Sequence, residues 1–248
     1  MLKKRTFYGY IAAMIILFAI WHLIAVIFNL PIIPPPLIVL DNLISIFPDK
    51  ISIHGLYSIW RIVAGIFLAI IIGVPLGILM GYFNKFDRFL TPIVYLTYPI
   101  PKIALLPILM LLFGLGEMSK IIMIFLIIVF QVVVSIRDSI KNIPKEIYYP
   151  LYSLGANFMD IFKEVLFNAS MSNFLTSIRL SLATSISVLF FTETFGSQYG
   201  MGYFIMDAWL RVNYLEMYSG IIVLSLIGLI LFSITDILEK KICRWQYK

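Results

Sequence analysis

Charge is what this sequence has least of: Asp, Glu, Lys and Arg make up 13% of its 248 residues, about half the share usual in soluble domains. Hydrophobic residues make up 61%, and the mean hydropathy is +0.99. A water-soluble fold cannot hide that much apolar surface, and no polar stretch is long enough for a separate soluble domain. Residues 1–248 therefore read as a single membrane domain whose apolar faces meet lipid. One cysteine, Cys243, excludes an intrachain disulfide and a thiolate metal cluster. The two histidines, His22 and His54, have no neighbours that would complete a metal site, so both read as structural or interfacial. The phosphate-cradling pattern G-x-x-x-x-G-K-[ST] is absent, and no cofactor is expected in this chain. The net charge of +6 does not point to nucleic acid, because the basic residues flank apolar runs and form no aromatic-interleaved patch.

What the chain does have is long apolar runs. Residues 8–30 follow Lys3, Lys4 and Arg5 and are long enough to cross a hydrocarbon core of roughly 30 Å. With no small-residue cleavage site, this run reads as a retained helix and not as a signal peptide. Further runs cover residues 57–82, 89–113, 121–136, 174–195 and 217–237, giving about six spans. With the N-terminus inside, the inner segments hold Lys3, Lys4, Arg5, Lys85, Arg88, Arg137, Lys141, Lys145, Lys163, Lys240, Lys241, Arg244 and Lys248. The outer segments hold only Lys50, Lys120 and Arg211, so both termini are expected in the cytoplasm.

Two outer segments stand out. Residues 31–55 start with Pro34, Pro35 and Pro36 and then place Leu37, Leu40, Ile44 and Phe47 at helical spacing, which predicts a short helix on the membrane surface. Residues 194–216 carry Gly196, Gly200 and Gly202 among aromatics, and read either as a surface loop or as a segment that dips back toward a cavity. In the third run, Pro101 and Pro107 flank Lys102 and predict a kink or break. The freed carbonyls then line a pore, or the kink serves packing alone. Ala64, Gly65, Ala69, Gly73 and Gly77 recur near helical spacing and predict close helix packing, within the subunit or across a dimer.

The inner segment from Arg137 to about Asn173 contains Tyr149-Pro150-Leu151-Tyr152-Ser153-Leu154-Gly155-Ala156. Asn157 can cap a helix, with Asp160 three residues on, and Phe158, Ile161, Phe162 and Val165 would then share one apolar face. Such a face wants a partner groove. This layout resembles the cytoplasmic EAA loop of ABC importer permeases. Other pieces occur in the order of the nitrate, sulfonate and taurine group of that family: Ser58 to Gly65, Gly73-Val74-Pro75-Leu76-Gly77, Ile100 to Pro107, Phe113 to Glu117, Thr176 to Leu182, and Glu193 with Gly200-Met201-Gly202-Tyr203. The sequence departs from the pattern where Tyr149, Pro150 and Leu151 stand for Glu-Ala-Ala, and Phe167-Asn168 for a closing Leu-Pro.

The resemblance implies an all-α membrane bundle of the type I importer kind, with a coupling loop at about 138–173 that docks on a separate ATPase. Tyr149, Pro150, Leu151, Gly155, Ala156, Phe158, Ile161 and Phe162 are its candidate contacts. ATP and Mg would belong to that ATPase, and an external binding protein would deliver the solute. About six spans enclose too little for a whole pathway, so two copies are expected to pair about a two-fold axis. The group's solutes include nitrate, sulfonates, taurine and vitamin-like pyrimidines; a small anion is the first expectation, because Arg61, Lys102 and Arg179 could give positive potential along a path. Glu193, in an apolar stretch, reads as a structural anchor, a residue beside the pathway or an interfacial one. Arg61 is a possible partner, although snorkelling to water is the preferred reading. A membrane-embedded enzyme would need converging ionisable residues, and an ion-driven transporter would favour inverted repeats; neither is evident.

Overall fold

The computed structural model describes residues 2–244, and within these it leaves aside the side chains of residues 2–8, 10 and 11. Lys248, and the side chains of Lys3, Lys4 and Arg5, which the orientation argument used, therefore lie outside the described residues. In chain order the α-helices are α1 (Leu2–Phe28), α2 (Pro36–Ile46), α3 (Ser52–Tyr82), α4 (Asn84–Thr97), α5 (Leu106–Phe113), α6 (Glu117–Lys141), α7 (Tyr148–Ser153), α8 (Phe158–Ile161), α9 (Phe167–Thr194), α10 (Met201–Leu210) and α11 (Tyr214–Ile242). Among the described residues there is no strand.

Four helical stretches are long and apolar enough to cross a membrane: Pro36–Tyr82, Glu117–Lys141, Phe158–Thr194 and Tyr214–Ile242. A fifth candidate is Asn84–Thr97 with Lys102–Phe113, two pieces bent by 82°. About six were expected. The difference lies in α1, whose described apolar stretch, Ala12–Phe28, is shorter than a span. The bend falls where Pro99 and Pro101 remove two consecutive chances for a helical hydrogen bond, while Pro107 sits harmlessly in the first turn of α5.

The segment after α1 departs from the sequence reading. Instead of a separate surface helix, α2 runs through a single π turn, Phe47–Ile51, into α3 as one stretch of 47 residues. At 1.5 Å per residue that is about 70 Å, more than twice a hydrocarbon core. Pro48 does not break it, because the wider π turn accommodates a residue without N–H. Val39, Leu43 and Ile46 turn inward, while Leu37, Ile44 and Phe47 stay exposed. Asn42 Nδ2 donates to Ser219 Oγ at 3.1 Å and so ties α2 to α11.

At the centre, α3 lies against α6 and α6 against α9, around Ile62, Ala69, Met80, Ile124, Ile128, Val132, Ile136 and Leu182. The small residues of α3 serve packing within the subunit. A Cβ on Gly65 would come 2.5 Å from Ile124 Cγ2, and one on Gly77 would come 2.8 Å from Ile136 Cβ. The two backbones thus sit closer than any larger side chain allows.

Candidate functional site

Chain direction places the starts of α3, α6 and α11 and the end of α9 at one end of the bundle, and the loop around Gly155 at the other. The first end is organised by Arg61 and Glu193, 1% and 0% exposed, whose Nη1 and Oε1 lie 2.6 Å apart. Arg61 does not snorkel. Its Nε and Nη2 fork onto both oxygens of Glu117 at 2.8 and 2.6 Å, and Nη1 also donates to the Tyr199 carbonyl at 2.8 Å. Glu193 further accepts from Ser58 Oγ and from the Gly202 N–H, each at 2.8 Å. One charge pair thus gathers α3, α6, α9 and the start of α10. A charge is tolerable in an apolar bundle only when partners replace its hydration, and these do.

The 194–216 segment is neither a plain loop nor a free one, because α10 packs on α9 and α11. Gly200 has φ +129°, and a Cβ there would stand 2.5 Å from both Arg61 Nη1 and the Glu193 carboxyl carbon. Only glycine lets the backbone approach the ion pair so closely. His54 Nδ1 accepts the Gly200 N–H at 3.1 Å, so this histidine is structural. Lys120, expected in an outer segment, is 1% exposed and donates to the carbonyls of Leu115 and Gly116 at 2.6 and 3.1 Å. It caps the turn before α6. Its sequence position gave no sign of burial.

At the opposite end the predicted capping box is present: the Asp160 N–H donates to Asn157 Oδ1 at 3.1 Å and the Asn157 N–H to Asp160 Oδ2 at 2.9 Å. Gly155 has φ +72°, with nothing near its missing Cβ, so glycine is required there by backbone conformation and not by crowding. The helix begun at Phe158 does not stop near 173 but runs through a π turn, Phe162–Leu166, into α9, so the non-spanning loop is shorter than expected. Ile161 is buried and Phe162 half-buried in the chain's own core. Phe158 lies against Tyr82 and Phe83, at 5.3 and 5.6 Å between ring centroids. Leu151 and Ala156 also pack inward, and burial pushes the Tyr148 phenol up from its ordinary pKa. The apolar surface left open comprises Tyr149, Tyr152, Leu154 and Met159, with Leu154 84% exposed and Pro150 beside them.

A third feature was missed in the sequence. A cleft of about 440 Å³ runs between α6 and α9, lined on α6 by Gln131, Ser135, Asp138, Ser139 and Asn142. Across it stand Asn173, Thr176 and Ser177 of α9, with Tyr98 from the break after α4. The recurrence of polar residues at 131, 135, 139 and 142 was the available signal. Asn173 Nδ2 donates to Ser139 Oγ at 2.9 Å, and Ser135 Oγ donates to the Asn173 carbonyl at 3.0 Å. Lys102 stands beside this cleft and not near Glu193. Its Nζ donates to the carbonyls of Thr97 and Tyr98 and lies 5.3 Å from the Tyr98 ring centroid and 5.0 Å from that of Phe130. The break's freed carbonyls are thus satisfied by a cation. Arg179 is elsewhere, paired with Asp236 at 2.7 Å and with Glu239. Among the described residues no group of His, Cys, Asp and Glu could hold a metal ion.

The family model described as binding-protein-dependent transport system inner membrane component matches residues 73–244. A Methanocaldococcus jannaschii protein described as an ABC transporter permease is 31% identical, over 92% of this chain and 88% of its own. A Bacillus subtilis protein described as an aliphatic sulfonates transport permease, SsuC, is 29% identical over 98% of this chain and 90% of its own. Among solved structures, an inward-facing form of the MetNI methionine ABC transporter matches with a TM-score of 0.63 at 20% identity, over 77% of this chain and 93% of that one. That likeness establishes the type I permease fold.

Proposed function

The chain belongs to the family of binding-protein-dependent transport system inner membrane components, and from that premise we propose that two copies of it form the membrane pathway of an ATP-driven importer for a small anion. The importer permease role is the family's. Homodimerisation, the docking contacts, the orientation and the solute are our reading.

The observation that carries the reading is the exposed turn at Gly155. A capped helix start and a left-handed glycine fix a short helical hairpin, and Tyr149, Tyr152, Leu154 and Met159 stand out from it with no cover within the chain. Aromatic and aliphatic side chains held on a rigid turn suit a groove on a soluble partner. That partner is an ATP-binding subunit, which would hold ATP and Mg. Lys85, Arg88, Arg137, Lys141, Lys145, Lys163, Lys240, Lys241 and Arg244 gather at the same end. The positive-inside rule then puts this end in the cytoplasm and the Arg61 end outside, where a binding protein would dock.

Transport by alternating access requires the two ends to open in turn. The Arg61, Glu117 and Glu193 contacts knit the outer end, while the polar cleft lies in the inner half. The sulfonate named for SsuC suggests the solute class, and Lys102 offers positive potential beside the cleft. The test is to express the chain with its ATP-binding and binding-protein partners, purify the complex, and measure uptake of ethanesulfonate into proteoliposomes. Tyr152→Ala together with Leu154→Asp is expected to leave the permease in the membrane and reduce retention of the ATPase, with loss of coupled uptake; truncating an interface anchor commonly costs about 2 kcal/mol or more. Full retention and unchanged uptake would refute the docking assignment.

A further inference from the structure

Resting on the importer reading, we infer that the cleft between α6 and α9 is the water-filled inner vestibule of the solute path, and that its amide and hydroxyl rows carry a small hydrogen-bonding anion of the sulfonate class. The first argument is energetic. Glu117–Lys141 and Phe158–Thr194 are otherwise apolar enough to span a membrane, with window hydropathies of 2.6 and 1.6. Gln131 Oε1 accepts from Ser181 Oγ, but among the described residues its amide N–H groups have no partner in the chain, and neither does the side chain of Asn142. Both residues line the cleft. Leaving such amides unpaired in hydrocarbon would cost several kcal/mol each, on the order of 4–8 by transfer to an alkane, so this face meets water or protein and not lipid.

The second argument is chemical. The hydroxyls that line the cleft are already anchored: Ser139 donates to the Ser135 carbonyl at 2.6 Å and Ser177 to the Phe174 carbonyl at 2.7 Å. Their lone pairs and the free amide hydrogens leave a lining that can solvate a passing solute without gripping it, which a conducting path needs. The one carboxylate in the lining, Asp138, is paired with Arg137 Nη1 at 2.8 Å, so an anion meets no net negative wall there. Lys102 adds a cation behind Tyr98 at the mid-bundle end of the cleft.

The third argument is placement. The cleft opens on the flank of the bundle toward the end that carries the Gly155 turn, while the opposite end is held by Arg61. A polar flank on a membrane helix pair is where a second copy would complete a channel wall around solute.

The test uses the complete importer complex in inside-out vesicles, with Cys243→Ala to remove the native thiol. Thr176→Cys and Asn142→Cys are compared with Leu229→Cys, an apolar position on the outer surface of α11. A charged, membrane-impermeant methanethiosulfonate is expected to modify positions 176 and 142 much faster than 229, and to abolish ethanesulfonate uptake while ATP turnover continues. Positions 176 and 142 as unreactive as 229, in a complex that does take up ethanesulfonate, would overturn the vestibule and leave the importer reading standing. Rapid modification at 176 and 142 in a complex that takes up no ethanesulfonate would support the wet cleft and overturn the sulfonate assignment. Gln131→Leu adds an independent arm: reduced uptake with normal assembly is expected, and unchanged uptake counts against solute contact.

Discussion

At the scale of single residues, the most consequential group is Glu193, because it sits fully buried and is answered from four directions by Arg61, Ser58 and the backbone of α10. Glu193→Gln keeps the shape but leaves the Arg61 Nη1 without its buried counter-charge. Removing one partner of a buried pair commonly costs about 3–5 kcal/mol, so the variant is expected to melt well below wild type in detergent and to accumulate less in the membrane. Equal melting and equal uptake would show the pair to be dispensable. Gly200→Ala should fail similarly, since its new methyl would meet the same two charged groups at 2.5 Å and φ +129° is foreign to alanine. Glu193 was legible in the sequence as a lone acid in an apolar stretch, but its partner was not. Arg61 lies 132 positions away, and the snorkelling that its sequence position suggested was overridden by three acceptors that only the tertiary fold assembles. Lys120 was hidden for the same reason: its acceptors are carbonyls, which leave no trace in a side-chain pattern.

Among elements, the features that were legible are those with local causes. Prolines at 99 and 101 announced the break in the third run, and Asn157 with Asp160 announced the start of α8, because each acts within one helical turn. Continuity was harder to read. Three proline residues suggested that α2 stood apart, and a cytoplasmic loop suggested that α9 began late, yet π turns carry both helices through. The face of α8 was likewise only half predictable. Phe158, Ile161 and Phe162 do share one side, but that side covers the chain's own core, and Tyr149, Tyr152 and Leu154 are left for a partner. The α3–α6 contact allows a sharper prediction. Gly77→Leu would drive a side chain into Ile136 Cβ and the Val133 carbonyl, 2.8 and 3.0 Å from the Cβ position, and is expected to prevent stable accumulation. Gly116→Leu, at an open position, should accumulate like wild type. Membrane fractions probed for an appended tag would decide, and equal levels for the two variants would contradict the close contact of these helices.

For the whole molecule, the two ends differ in chemistry in a way that fixes a testable orientation. At the Arg61 end the cations are spoken for: Lys50 pairs with Glu216 at 2.8 Å, Arg211 with Asp207 and Glu216 at 2.8 Å each, and Arg61 with Glu117 and Glu193. At the Gly155 end, Asp87 holds Arg137 and Lys141, and further basic residues stand exposed along the surface, among them Lys85, Arg88, Lys145 and Lys163. Positive residues left unneutralised beside membrane helices are retained on the cytoplasmic side, so the excess at this end governs insertion more than the paired cations opposite. In intact cells carrying Cys243→Ala, a cysteine replacing Lys50 is therefore expected to react with an impermeant maleimide, and one replacing Lys163 only after the membrane is permeabilised. Lys50 is half-exposed despite its ion pair, so burial would not mask the signal. The reverse pattern would invert the molecule, place the Gly155 turn outside where no ATPase could reach it, and remove the basis for coupling by this loop.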